Sequence, residues 1–412
     1  MINQHLLRLL SLIALLFTFG GAVVAQSSRP RRVRPAPKPA EDPLLRPEPR
    51  TTTTARTDPN APLITVQPVK PVANPVASGD TANAYQLLQQ KQFAAAAKEA
   101  KAVAANFPND AEAWKIAGFA ELNLKQYTEA ASDLEKAVAL QRAAKQEDPN
   151  TVDALAQAYV LSEKFEPALP LLVNATSRAG AKPDAAMLYY RGLAEYKTGK
   201  VEAAERTFNA VIKLNPRDTL SLFYLAQIAL SRNDLDGAIV ALNRATVNDA
   251  RMASAWTLLT SVYLRRAAAA TDTAKADADY LNAVRAGEGL IKVRTDAEAV
   301  TLFGQALIGA QQYARAAAAL ERAAQGAAPG VTYYLLGVAQ SRTKNFPKAI
   351  AALETAATKT PNDVNVYREL GYAYEVSKQY GKALGAYQKG ANLAPDDGDF
   401  KESIERVRPF AK

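Results

Sequence analysis

The sequence predicts an all-α array of about nine antiparallel helical hairpins, preceded by an export signal and a proline-rich linker. Three observations carry this reading. A small residue in a fixed apolar context recurs at steps near 34 residues from Ala96 onward. Alanine, the best helix former, is abundant from Ala82 onward, while aromatics make up only 8% of the chain. The composition also changes abruptly near residues 25 and 78.

The first segment reads as a sorting signal. Met1 to Arg8 carries one positive charge, Leu9 to Val24 is almost wholly apolar, and Val23-Val24-Ala25 offers small residues for cleavage after Ala25. An uncleaved anchor is the alternative, because Leu6 to Ala25 is about long enough to span a bilayer. Either way residues 26–412 are expected outside the cytoplasm, in the periplasm or secreted.

Residues 26–78 hold twelve of the 23 prolines and no apolar period. Such a segment buries too little apolar surface to offset its ordering entropy, so a disordered tether is expected. Nine bases against four acids place +5 of the chain's formal +9 here. The remaining folded part is near neutral, so the overall charge is no argument for nucleic-acid binding. The basic cluster Arg29–Lys38 is a candidate for weak contact with a membrane surface or a wall polyanion. No aromatic residue interleaves those bases, which speaks against single-stranded nucleic acid.

The array itself is expected over 79–397, with a polar closing helix at 398–412. Its key column is Ala96, Ala130, Ala168, Ala204, Ala238, Ala316, Ala349 and Ala383, at steps of 34, 38, 36, 34, 78, 33 and 34. Three residues earlier stands a large apolar residue, such as Phe93, Tyr127 or Tyr313; four later stands another, such as Leu134, Phe208 or Tyr387. That spacing lines one face of a helix. Twelve residues before the alanine comes a small one, often glycine: Gly118, Gly192, Gly304, Gly337, Gly371. A glycine inside a helix costs about 1 kcal/mol relative to alanine, so its repetition at one register implies a facing helix in the vacated space. Prolines at 108, 149, 216, 361 and 395 are expected to stop second helices and start the next unit, and Pro347 to open a second helix. The step of 78 contains a sixth unit that begins with Trp256, Leu259 and Tyr263 and then loses the alanine register, so a lengthened hairpin is expected there.

This pattern resembles the tetratricopeptide repeat, from roughly Gly79 to Pro395. The best units are Leu188, Gly192, Gly199, Ala204, Phe208, Pro216 and Tyr367, Leu370, Gly371, Tyr374, Tyr380, Ala383, Tyr387, Pro395. The resemblance implies a right-handed superhelical solenoid whose first helices line a groove that takes a peptide or helix. Carried over by position, the groove candidates are Lys115, Phe119, Tyr189, Leu193, Tyr196, Phe223, Gln227, Arg265, Gln305, Tyr334, Arg342, Arg368 and Tyr372. Aromatic and arginine side chains are the types enriched at binding hot spots; packing of these tyrosines between hairpins is the competing reading. A lysine–asparagine clamp for a C-terminal carboxylate is not expected, because Phe119 stands one turn after Lys115.

Chemistry is poorly equipped. The chain has no cysteine, and its only histidine is His5, in the export signal. Thiolate sites, zinc sites and histidine-based nucleophilic catalysis lack their usual residues. No metal or cofactor is expected. Gly199-Lys200 is followed by Val201 and is no phosphate loop. Glu202 and Glu205 read as a solvated helix face. The leading expectation is a non-enzymatic scaffold in the bacterial envelope that binds other proteins. The alternatives are an all-helical enzyme on wall polysaccharide, which needs two carboxylates at one cleft, and a polyanion binder working through the linker.

Overall fold

The computed structural model describes residues 79–178 and 184–411. The expected export signal and linker, including Arg29–Lys38, lie outside the described residues. Among the described residues every regular element is helical. The helices pair as α1 (Ala82–Gln89) with α2 (Phe93–Asn106), α3 (Ala111–Asn123) with α4 (Tyr127–Ala143), α5 (Pro149–Leu161) with α6 (Phe165–Thr176), and α7 (Ala185–Lys197) with α8 (Val201–Leu214). Next in order are α9 (Thr219–Ser231) and α10 (Leu235–Asn248); then α11 (Ala253–Ala269) pairs with α12 (Thr273–Val293), α13 (Ala297–Gly309) with α14 (Tyr313–Ala323), α15 (Gly330–Arg342) with α16 (Phe346–Lys359), and α17 (Val364–Val376) with α18 (Tyr380–Leu393). A last helix, α19 (Gly398–Val407), runs into a 3-10 turn at Arg408–Phe410. The described residues form two compact units, 79–228 and 229–411.

Within each hairpin the key alanine is fully buried, in all eight positions of the column. The glycines behave as their cost requires. A Cβ added at Gly118, Gly192 or Gly304 would stand 2.5, 2.8 or 2.6 Å from Leu134, Phe208 or Leu320 of the second helix. Gly337 and Gly371 meet Leu353 and Tyr387 in the same way. The large residue four after the alanine therefore fills the space left by the missing side chain.

The two helices of a hairpin begin differently. First helices are capped by aspartates: Asp110, Asp148, Asp184, Asp296 and Asp363 accept hydrogen bonds from N–H groups of the first turn, as does Asp397 for α19. Second helices are entered through one residue of positive φ, namely Lys91, Lys125, Glu163, Gly199, Asn233, Gln311, Lys344 and Lys378. Pro347 opens α16, as the sequence implies. Pro149 starts the next unit as expected, as the first residue of α5, where its missing N–H is harmless, but α4 has already ended at Ala143.

The sixth hairpin is the long one, with helices of 17 and 21 residues. Its alanine register is shifted rather than lost. Ala283 is fully buried, three residues after buried Tyr280, and lies 45 residues after Ala238 and 33 before Ala316. The size pattern is exchanged: Thr260 fills the small position of the first helix, and Gly287 stands where a large residue is usual. The glycine admits Phe303 of α13, which a Cβ there would meet at 2.7 Å.

Candidate partner-binding surface

The expected groove residues separate into three groups once their surroundings are known. The first group is core. Phe119, Tyr189, Gln305 and Tyr334 are at most 5% exposed. Tyr189 packs against the rings of Tyr190, Phe208 and Tyr224 at 5.7, 6.2 and 6.4 Å. Burial pushes the Tyr334 hydroxyl far above the usual tyrosine range, as a fully enclosed phenol requires. All four side chains are enclosed, and Tyr189 reaches the next hairpin at Tyr224, which corrects their assignment to an open groove. Their position on the first helix is compatible with both roles, because the stack covers the face that turns toward the next hairpin.

The second group is tied up in ion pairs or hydrogen bonds. Lys115 is buried, with Nζ 2.7 Å from Glu112 and 3.7 Å from Asp148. Burial raises the pKa of Glu112, and Lys115 offsets part of that. Arg265 donates to Asn233 Oδ1 at 2.8 Å. Arg342 holds Glu369 with two bonds of 3.0 and 3.1 Å, linking α15 to α17. Arg368 bonds Asp397, donates to Asn365 at 2.9 Å and lies 4.9 Å over the Phe400 ring. These cations position neighbouring helices.

The third group remains accessible. Leu193 and Tyr196 on α7, and Phe223 and Gln227 on α9, are half-buried. Tyr224, also half-buried and not foreseen, joins them: its ring lies 5.3 Å from Tyr196, 6.0 Å from Phe223 and stacked at 5.3 Å on Phe208. The core ring Phe208 thus supports a surface of three aromatics in the N-terminal unit. Leu193 lies one turn before Tyr196, and Gln227 one turn after Phe223. Burial raises the Tyr196 hydroxyl above its ordinary value, which leaves it a neutral donor. In the C-terminal unit Tyr372 is 43% exposed, edge-to-face with Phe346 at 6.5 Å. Val376, one turn further on, is equally exposed and went unnoticed because it ends its helix.

A second pair of acids that shares a cation is enclosed. Glu121 and Asp133 both contact Lys101 and are 1% and 4% exposed. Burial raises the Glu121 pKa. No sugar reaches that pair without unpacking α2 from α3 and α4. Among the described residues no group of three His, Cys, Asp or Glu is placed to hold a metal ion, and no helix is long and apolar enough to cross a membrane.

The tetratricopeptide repeat model matches residues 81–149, 154–210, 191–255 and 334–398, which is more than half of the chain. The chain belongs to the tetratricopeptide repeat family. The unmatched stretch, 256–333, holds the lengthened sixth hairpin. Repeats of this family are in general scaffolds for protein–protein interaction. No curated protein matches the chain. Among solved structures, MamA 41-end from Desulfovibrio magneticus RS-1 is 20% identical over 43% of this chain and 96% of its own, with a TM-score of 0.38. YrrB, described as a TPR protein with an unusual peptide-binding site, is 19% identical over 48% of this chain and 97% of its own, with a TM-score of 0.39. The C-terminal part of a TPR repeat-containing protein from Cytophaga hutchinsonii is 17% identical over 69% of this chain and 96% of its own, with a TM-score of 0.40.

Proposed function

We propose that this tetratricopeptide repeat protein is a non-enzymatic scaffold of the bacterial envelope. It captures a peptide or helix of another protein on the first-helix surface around Tyr196, Phe223 and Tyr224. The observation that carries the binding site is this trio of partly accessible rings, braced from beneath by Phe208. Rings held in place before binding lose little side-chain freedom when a partner arrives, and that favours affinity. Leu193 extends the apolar patch, and Gln227 adds an amide able to bond a peptide backbone. The envelope location rests on the apolar segment Leu9 to Val24 and the small residues at Val23-Val24-Ala25.

The test is capture from an envelope extract with the full chain as bait, beside Phe223→Ser/Gln227→Ala and a control, Val240→Ser, on α10. The substituted positions are half-buried or exposed, so folding is retained and is checked by circular dichroism. One or two proteins held by the parent and the control, and lost by the double variant, are expected. Equal capture by all three would refute the site. Recovery of the chain from the cytoplasmic fraction alone would refute the location.

A further inference from the structure

The turn edge of the last hairpins differs chemically from that of the second, third and fourth, although the first hairpin also lacks an acid there. In the N-terminal unit the turn bases Lys125, Lys164 and Lys200 are followed by acids in the first turn of the second helix, Glu129, Glu166 and Glu202. That is where a helix dipole favours negative charge. The seventh, eighth and ninth hairpins have no acid in that turn. They carry Arg315, Lys344, Lys348, Lys378 and Lys382 instead, all exposed. Arg315 meets Glu288 at 2.8 Å and Lys348 meets Glu321 at 3.0 Å. Among the described residues Lys344 and Lys378 contact no acid, and Lys382 lies 5.4 Å over the Tyr374 ring.

Apolar side chains stand among these bases. Phe410 is 62% exposed, with its ring 5.2 Å from that of Tyr380, between Lys378 and Lys382 in sequence. Val376 and Tyr372, both 43% exposed, precede Lys378, and Tyr372 touches Phe346 between Lys344 and Lys348. Exposed bases around exposed apolar side chains form an amphipathic surface. We propose that the turn edge of the eighth and ninth hairpins, together with Phe410, docks on a membrane surface rich in anionic lipid headgroups. Lysine ammoniums near such a surface each contribute attraction, and Phe410 and Val376 enter the headgroup boundary. Single-stranded nucleic acid fits less well. It asks for free aromatic faces on which bases stack, but Phe410 already lies against Tyr380, and Val376 has no ring.

The experiment uses the full chain and vesicles of phosphatidylcholine alone or with about one-third phosphatidylglycerol. The chain has no native cysteine, so Phe410→Cys carries a single environment-sensitive dye, with Gln126→Cys as the control position. The dye at residue 410 is expected to shift to the blue on anionic vesicles only, and the dye at residue 126 on neither. Lys344→Gln/Lys348→Gln/Lys378→Gln/Lys382→Gln should weaken the anionic-specific binding at least about tenfold. The matched set Lys91→Gln/Lys125→Gln/Lys197→Gln/Lys200→Gln should change it less than about threefold. The measurement is repeated with Arg29, Arg31, Arg32, Arg34 and Lys38 all changed to Gln, and the dye shift is expected to persist. Absence of a shift at residue 410, equal losses in both lysine sets, or disappearance of the shift in that background would overturn the proposal. So would tight binding of an oligodeoxythymidine that the first lysine set abolishes while vesicles leave the dye unchanged.

Discussion

Both units use the same hairpin, but the seam between the fourth hairpin and α9 is aromatic, whereas most other seams are charged, Lys101 to Glu121 and Lys115 to Asp148 in the N-terminal unit among them. In the N-terminal unit the fourth hairpin meets α9 through rings: Tyr189 and Tyr196 reach Tyr224, which stacks on Phe208. In the C-terminal unit charges span the corresponding seams: Arg342 to Glu369, Arg368 to Asp397, Arg315 to Glu288 and Lys348 to Glu321. The alanine and glycine columns inside the hairpins are common to both. The repeat fixes how two helices of a hairpin pack, then, and leaves the seam between hairpins free to vary. An apolar seam resists salt and acid. A charged seam depends on both partners staying ionised.

The largest expected effect breaks the aromatic seam. Phe208→Ala removes a fully buried ring that touches Gly192, Tyr189 and Tyr224. It should cost about 4 kcal/mol in urea unfolding, with no dependence on salt. The same variant should weaken partner capture, since it removes the ring on which Tyr224 stacks, and Tyr224 in turn borders Phe223.

Next comes the charged seam. Glu369→Ala leaves Arg342 unpaired in a partly buried site and should cost about 2–3 kcal/mol. Replacing both partners, Arg342→Met with Glu369→Leu, should recover most of that loss. A double variant as unstable as Glu369→Ala would mean that the pair does more than satisfy itself.

The sequence displayed the hairpin interior well and the seams poorly, for one physical reason. Inside a hairpin, size alternates at fixed spacing, so Ala204, Gly192 and Phe208 announce one another. Between hairpins, a tyrosine on the first helix reads alike whether it faces a partner or the next repeat. Tyr189 and Tyr196 are seven residues apart on α7, yet one is buried and the other half open. The sixth hairpin shows a second limit. A gap of 78 residues does not say where extra residues lie, and the exchange of sizes between Thr260 and Gly287 hid Ala283. The aspartate caps, by contrast, stand in plain view at Asp110, Asp148, Asp184 and Asp363, each before an apolar helix.

A smaller effect concerns pH. In the C-terminal unit burial works to raise Glu375, but hydrogen bonds from Arg406 and Tyr387 outweigh it and hold the carboxyl below its ordinary value. The folded pKa is depressed, so the stabilisation is present above the unfolded value and is lost as pH falls through the folded one. In the N-terminal unit Glu112 and Glu121 are raised, chiefly by burial, so their protonation favours the folded state as pH falls. Glu375→Gln should therefore cost about 1 kcal/mol at pH 7 and progressively less in acid. Glu121→Gln should move stability the other way and flatten the acid side of the profile. At the alkaline end Tyr280 is pushed up to about 12 by burial. Its neutral form belongs to the fold, so that contribution is full below the ordinary tyrosine range and fades as pH climbs toward 12.

The smallest effect should be alike in both units, because the turn geometry is shared. Lys125→Gly and Gln311→Gly place glycine at positive φ and should each stabilise by about 0.5 kcal/mol in thermal unfolding. A gain in only one unit would show that the two turns differ beyond their charge.

The most direct measurement places a photo-crosslinking amino acid at Phe223 on α9 and, separately, at Val240 on α10 of the full chain in the producing cell. If the surface braced by Phe208 is the partner site, the Phe223 position yields a discrete adduct with another protein, found in the envelope fraction, and the Val240 position yields none. A ladder of equal adducts from both positions, or none from Phe223 while Val240 reacts, would contradict the account.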